Sequence, residues 1–246
     1  MTIDSRLRTE AFTRPSIRTN LRRLHTAQKS GAGVPAYTRF VNRRLARTVA
    51  ATAASLGLSP NLVTALSAAL SAGGLALLLI AGPHWWSALI GAALLAAGYV
   101  FDSADGQVAR LTGTGSPAGE WLDHVVDAAR TPAIHLTVAL MMVIHRPDLT
   151  WLAIVALCFS VMSTAQFMSQ ILAEQLVRHS ARKDIETSNL RKSLVLLPTD
   201  TGVLCWVFAL WMFPPLFAIA YTALFLLGVV HTAASMRRKY RKLAAR

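Results

Sequence analysis

The sequence predicts an all-α membrane protein, with six transmembrane helices behind one N-terminal amphipathic juxtamembrane helix. Three observations predict it. First, 54% of the 246 residues are hydrophobic and only 15% are charged, too apolar for a soluble domain of this length. Second, the apolar residues form runs long enough to cross a bilayer core, separated by Gly and Pro breaks. Third, the basic residues concentrate in the first 60 positions, in 178–192, and in the tail from Arg237. A net charge of +13 can signal nucleic acid or an anionic membrane surface. Its depletion from the apolar runs, with no nucleic-acid motif beside it, selects the membrane.

The elements follow in order. Residues 1–33 read as a basic flexible arm ending at the Gly31-Ala-Gly33 hinge. From Pro35 to Leu56, Arg39, Arg43 and Arg47 recur every four residues, and Tyr37, Val41, Leu45, Val49 and Leu56 occupy the other side. That pattern predicts a helix lying on the membrane surface. Ser59 with Pro60 is an N-cap and first helical position, so the first span runs from there to about Ala81. Gly82-Pro83 ends it. Trp85–Arg110, Ala118–Ile144 and Trp151–Leu176 are the next three spans, with the Trp85-Trp86 pair as an interfacial anchor. Leu194–Phe213 is expected as a fifth, and Pro214-Pro215 turns the chain into a sixth ending near Met236. The transmembrane domain is thus 34–240, and 241–246 is a basic tail. Cys158 and Cys205 fall inside spans and read as packing residues. Among the turns assigned to the outer side, only Arg146 is basic, so the expected orientation puts both termini in the cytosol, at the cell membrane.

One stretch breaks the apolar pattern. DSADGQVARLTGTGSPAGEWLDHVVD, residues 102–127, carries four aspartates. Asp102, Gly106 and Arg110 are spaced by four at the end of the second span, with Asp105 beside them. LTGTGSPA reads as a connecting loop. Gly119, Asp123 and Asp127 repeat the spacing at the start of the third span. An antiparallel hairpin would gather four carboxylates, which repel unless cations share them. Carboxylate oxygens suit Mg²⁺ or Mn²⁺, and paired metals serve displacement at phosphorus. Arg110 on the same face suits a diphosphate. Of the histidines, His124 is expected to point away from the aspartates, and His135 and His231 to pack within helices. Arg130, one turn past Asp127, either binds an anionic acceptor or extends toward the headgroups.

The pattern Asp102-x2-Asp105-Gly106-x2-Ala109-Arg110-x8-Gly119-x3-Asp123-x3-Asp127 resembles the signature of the CDP-alcohol phosphotransferases, with all eight positions present. Pro60-Asn61-Leu62-Val63-Thr64 is similar to the start of that family's first helix, so the resemblance covers about 35–240. It implies six transmembrane helices, a juxtamembrane helix and a homodimer. It implies transfer of a substituted phosphate, with CDP-diacylglycerol the first choice of donor, to an alcohol acceptor, with release of CMP, as in phospholipid biosynthesis. By motif position, Asp102, Asp105 and Asp123 would bind one metal and Asp102, Asp123 and Asp127 a second, with Asp127 also the general base. Asn61, Thr64, Gly106, Ala109, Arg110 and Ser116 would contact the CDP part. A donor built on a polar alcohol, with a lipid or sugar acceptor, remains the alternative. Ala128-Ala129-Arg130 matches neither the glycerophosphate-using nor the inositol-phosphate-using continuation, and His124 resembles the ethanolamine and choline members. A cation transporter is the rival from another class; it requires acids on several helices near the midplane.

Overall fold

The computed structural model describes residues 15–26, 33–178 and 190–245, and these form helices joined by short turns, with no strand among them. The all-α membrane fold is therefore as expected. Two short elements come first. Helix α1 (Ile17–Thr26) lies within the stretch expected to be a flexible arm. It folds because Leu24 is buried against later helices and Asn20 donates to the Ala51 carbonyl and the Ser55 hydroxyl. A π-helical turn (Thr38–Asn42) then leads into α2 (Arg43–Leu56). The face of α2 that packs inward is the alanine one, Ala46, Ala50, Ala53 and Ala54, whereas Leu45 and Leu56 stay exposed. The large apolar residues thus remain available to lipid, and the small ones let α2 approach the bundle closely.

Five helices are long and apolar enough to cross a membrane: α3 (Pro60–Ala81), α4 (Trp85–Thr112), α5 (Pro117–His145), α6 (Trp151–Arg178) and α9 (Pro214–Ala244). Their ends follow the local chemistry. Ser59 caps α3 by accepting from the Leu62 amide, and Ser116 caps α5 by accepting from the Gly119 amide at 3.1 Å. Gly113, with φ at +70°, closes α4 in the left-handed conformation.

The fifth predicted span, 194–213, is a correction. The chain there forms a short helix (α7, Leu190–Val195), a 3-10 turn at Pro198, then α8 (Thr201–Val207), which tightens into a 3-10 run to Met212. The continuous apolar piece, Thr201–Met212, is shorter than the five spans. Pro198 removes a helical donor and Asp200 restarts the chain as an N-cap, accepting from the Gly202 amide at 3.0 Å. Hydropathy alone registers the apolar content and not this break.

Two apolar clusters organise the bundle. The larger joins α3, α4, α5, α6, α8 and α9 around Trp211, Phe217 and Tyr221; the smaller joins α1, α2, α3 and α4 around Leu24, Val63 and Val108. Outward, Ile154, Val161, Ile219 and Val230 are exposed, a surface suited to lipid. Contact between α3 and α4 depends on small residues. Ser67 donates to the Gly98 carbonyl at 2.8 Å, and a Cβ at Gly98 would collide with the Ser71 hydroxyl and lie 3.0 Å from the Ser67 carbonyl. Gly98→Val should therefore destabilise the fold by about 1–3 kcal/mol. A lowered midpoint of thermal unfolding in detergent, followed by tryptophan fluorescence, is the expected result.

Candidate active site

The α4–α5 hairpin brings the acidic stretch together at one end of the bundle. Gly113 turns the chain out of α4, and Ser116 with Pro117 starts α5, so the two helix faces meet across a four-residue connection. A cavity of about 220 Å³ opens there. Asp102, Asp105, Gly106 and Arg110 of α4 and Asp123 of α5 line it. Thr38 and Arg43, from the segment before α3, line it too, with Ser103 and Gln107. Thr38, Ser103 and Gln107 were not singled out in the sequence. Arg43 was read as one of a row of surface arginines; that row was the available signal. Burial pushes the Arg43 guanidinium down from its ordinary value, the mark of a cation partly withdrawn from water.

Each carboxylate is held differently. Asp105 is buried, and its Oδ2 accepts from the Thr64 hydroxyl at 2.6 Å while its Oδ1 lies against the Gly106 amide. Thr64 thus reaches the site through Asp105 and does not itself line the cavity. Asp102 and Asp127 share the Arg130 guanidinium, whose other terminal nitrogen donates to the Ser67 hydroxyl at 3.2 Å. Arg130 is committed to the aspartates and to α3. Among the described residues its partners are Asp102, Asp127 and Ser67. Arg130 and Asp127 sit one turn apart on α5, an i,i+3 pair that shares a helix face, and Asp102 reaches the same guanidinium from α4.

Asp123, His124 and Asp127 offer ligand atoms that all lie within 4.8 Å of one another. The expectation that His124 points away is corrected here. His124 and Asp127 are themselves three residues apart, so the imidazole shares the face of the last aspartate. Its Nε2 lies 3.9 Å from Glu120 and its buried Nδ1 has no hydrogen-bond partner among the described residues. The carboxylate oxygens of Asp123 and Asp127 suit Mg²⁺ or Mn²⁺, for which the neighbouring imidazole is the softer and poorer donor, so it is the carboxylates that fit a divalent cation.

The remaining sequence candidates lie around the hairpin. A Cβ at Gly119 would sit 3.2 Å from Asn61 Oδ1 and 3.4 Å from Ser116 Oγ, which brings the starts of α3 and α5 close together. A Cβ at Gly106 would lie 3.4 Å from Arg110 Nη1. Asn61, Ala109 and Ser116 are not among the residues that line the cavity. His135 is a packing histidine as expected, bonded to Tyr221 and stacked on Phe159 at 4.0 Å.

Comparison with protein families places this geometry. The model of the CDP-alcohol phosphatidyltransferase family matches residues 57–234, which includes α3, α4, α5 and all eight signature positions. The chain belongs to the CDP-alcohol phosphatidyltransferase family. It is accordingly a transferase of substituted phosphate groups, taking a CDP-alcohol donor and an alcohol acceptor, in a family that generally depends on divalent metal. No curated protein matches it. The match begins after α2, so the phosphatidyltransferase cavity receives Thr38 and Arg43 from outside the matched region.

The shared Arg130 makes a direct prediction. Arg130→Leu leaves two carboxylates facing each other without their counter-ion, which should cost about 3–5 kcal/mol. Thermal unfolding in detergent, in buffer stripped of divalent metal, should show a much lower midpoint than the parent. An unchanged midpoint would mean that the bridge carries no stability.

Proposed function

We propose that this phosphatidyltransferase moves a phosphatidyl group from CDP-diacylglycerol to an alcohol, releasing CMP, at a two-metal site on the cytosolic side of the cell membrane. The observation that carries the reading is that Asp102, Asp105, Asp123 and Arg110 line one cavity. The acids occupy a single hairpin at one end of the bundle, an arrangement that favours chemistry on a bound ligand over an ion path through several helices. The cytosolic orientation is supported by the basic tail of α9 and the arginines of α2. At the opposite end the one basic turn residue, Arg146, is paired with Asp148. The homodimer belongs to the same reading; Leu140, Val143 and Ile154 leave exposed apolar surface on α5 and α6.

In this reading Asp102, Asp105 and Asp123 would hold one divalent ion and Asp102, Asp123 and Asp127 the other. Bound ions of this kind stabilise negative charge developing on the transferred and leaving phosphates. Arg110 and Arg43 bind the diphosphate by charge-assisted hydrogen bonds, and Gly106 lets it approach the α4 backbone. Asn61, Ala109 and Ser116 support the cytidine end. Thr64 fixes the Asp105 carboxylate by its 2.6 Å hydrogen bond. Arg130 bonds one oxygen each of Asp102 and Asp127, leaving the second oxygen of each for cation or proton. Asp127 takes the proton of the acceptor hydroxyl as that oxygen forms its bond to the lipid-bearing phosphorus. The bond from that phosphorus to the bridging oxygen breaks, and the electron pair leaves with CMP.

The decisive experiment is CMP release in detergent with Mg²⁺ or Mn²⁺, crossing CDP-diacylglycerol and polar CDP-alcohols with a panel of acceptors. Asp127→Asn should lower the rate by about 10²–10⁴-fold. Undiminished turnover in that variant, or no CMP from any pair, overturns the reading; CMP from polar CDP-alcohols alone reassigns the donor. Thr64→Val should weaken Mn²⁺ binding by about tenfold, measured by titration calorimetry, through loss of the hydroxyl that orients Asp105.

A further inference from the structure

A second cavity, about 270 Å³, lies among α5, α6, α8 and α9, away from the aspartates. It is lined in part by Thr131, His135, Gln166, Asp200 and Thr232, over an apolar floor that includes Phe159. Two contacts connect it to the active site. Thr131 is one turn beyond Asp127 on the same face of α5, a rise of about 6 Å. Asp200 accepts from both the backbone amide of Thr38, at 2.8 Å, and its hydroxyl, at 2.7 Å. Thr38 lines the aspartate cavity. The bonded Thr38–Asp200 pair is therefore a wall common to the two spaces.

The chemistry of this second wall is unlike that of the first. Its described lining contains no lysine and no arginine, and its single carboxylate is Asp200. Hydrogen-bonding capacity is present instead. His135 is 2% exposed, and its Nδ1 is occupied by the Tyr221 hydroxyl at 2.6 Å, so Nε2 is the ring's remaining hydrogen-bonding atom. The Gln166 amide reaches Ser235 with one end at 3.4 Å, and its other end is buried without a partner. Buried polar atoms without partners are rare, and the hydroxyl of a ligand satisfies them. A phosphate group here would face a carboxylate with no cation to offset it.

We propose that this cavity is the acceptor subsite and that it selects an unphosphorylated, uncharged alcohol, held by the amide of Gln166, the imidazole of His135 and the Thr232 hydroxyl. The proposal rests on the transferase reading above. In this subsite the alcohol body lies against Phe159, and its reacting hydroxyl is directed toward Asp127, one turn from Thr131.

The test uses the full-length enzyme in detergent and acceptors in matched pairs, glycerol and inositol each with and without one phosphate. The unphosphorylated member of a pair should have a kcat/KM at least about tenfold higher, since a site built for hydroxyls discriminates strongly by unpaired groups. Gln166→Leu and Thr232→Val should each raise the acceptor KM by about tenfold and leave the donor KM within about twofold, because each removes one hydrogen bond to the acceptor alone. Gln166→Lys should shift preference toward the phosphorylated member. CMP release that favours the phosphorylated acceptor in the parent enzyme overturns the proposal and leaves the transferase reading standing. So does an acceptor KM unmoved by both Gln166→Leu and Thr232→Val. Absence of CMP with every donor and acceptor overturns both.

Discussion

The Arg130 guanidinium, shared between Asp102 and Asp127 and anchored to Ser67, is the interaction on which the site depends. It ties α3, α4 and α5 together at the point where like charges would otherwise push α4 and α5 apart. In a poorly polarisable interior that attraction is strong, and so is the cost of leaving either partner alone. The bridge also decides which carboxylate oxygens are free for chemistry. In the proposed reaction Arg130 is therefore a positioning residue, acting through the two aspartates it holds.

A membrane protein must satisfy its polar groups within itself, and this chain does so by linking them into short chains between helices. Thr64 meets Asp105, Ser67 meets Gly98 and Arg130, and Asn42 meets the Tyr99 carbonyl and Ser103. The Thr38–Asp200 pair fastens the π-helical turn to the start of α8, with Tyr99 also on the Thr38 hydroxyl. These bonds have a consequence for function. They hold the juxtamembrane segment over the aspartate cavity, so that Arg43 faces the site. They also stand between the aspartate cavity, which has two arginines in its lining, and a second cavity whose described lining has none.

Much of the site was legible because its signals are local. The four-residue repeats of Asp102, Gly106 and Arg110, and of Gly119, Asp123 and Asp127, report a shared face on any helix, and the caps at Ser59 and Ser116 report where those helices start. What escaped the sequence depended on neighbours distant along the chain. Arg43 differs from Arg44 and Arg47 by facing α4, and nothing in α2 alone marks it. His124 was set aside as adjacent to Asp123, although its i,i+3 relation to Asp127 is the one that matters. Helix α1 looks like any basic arm until Leu24 finds the groove between α2 and α4. The interrupted span at 194–213 retained its apolar composition, so hydropathy could not register the break at Pro198.

By itself the sequence determined the class of fold, the hairpin and the identity of the acidic cluster, since hydropathy and helical periodicity are properties of consecutive residues. The tertiary structure alone decided how the charges are shared. Whether Arg130 serves a substrate or two aspartates depends on which groups α3 and α4 place within reach of its guanidinium. The same holds for the second cavity: its walls come from four helices spread over a hundred residues, and only their packing brings Thr131, Gln166, Asp200 and Thr232 around one space.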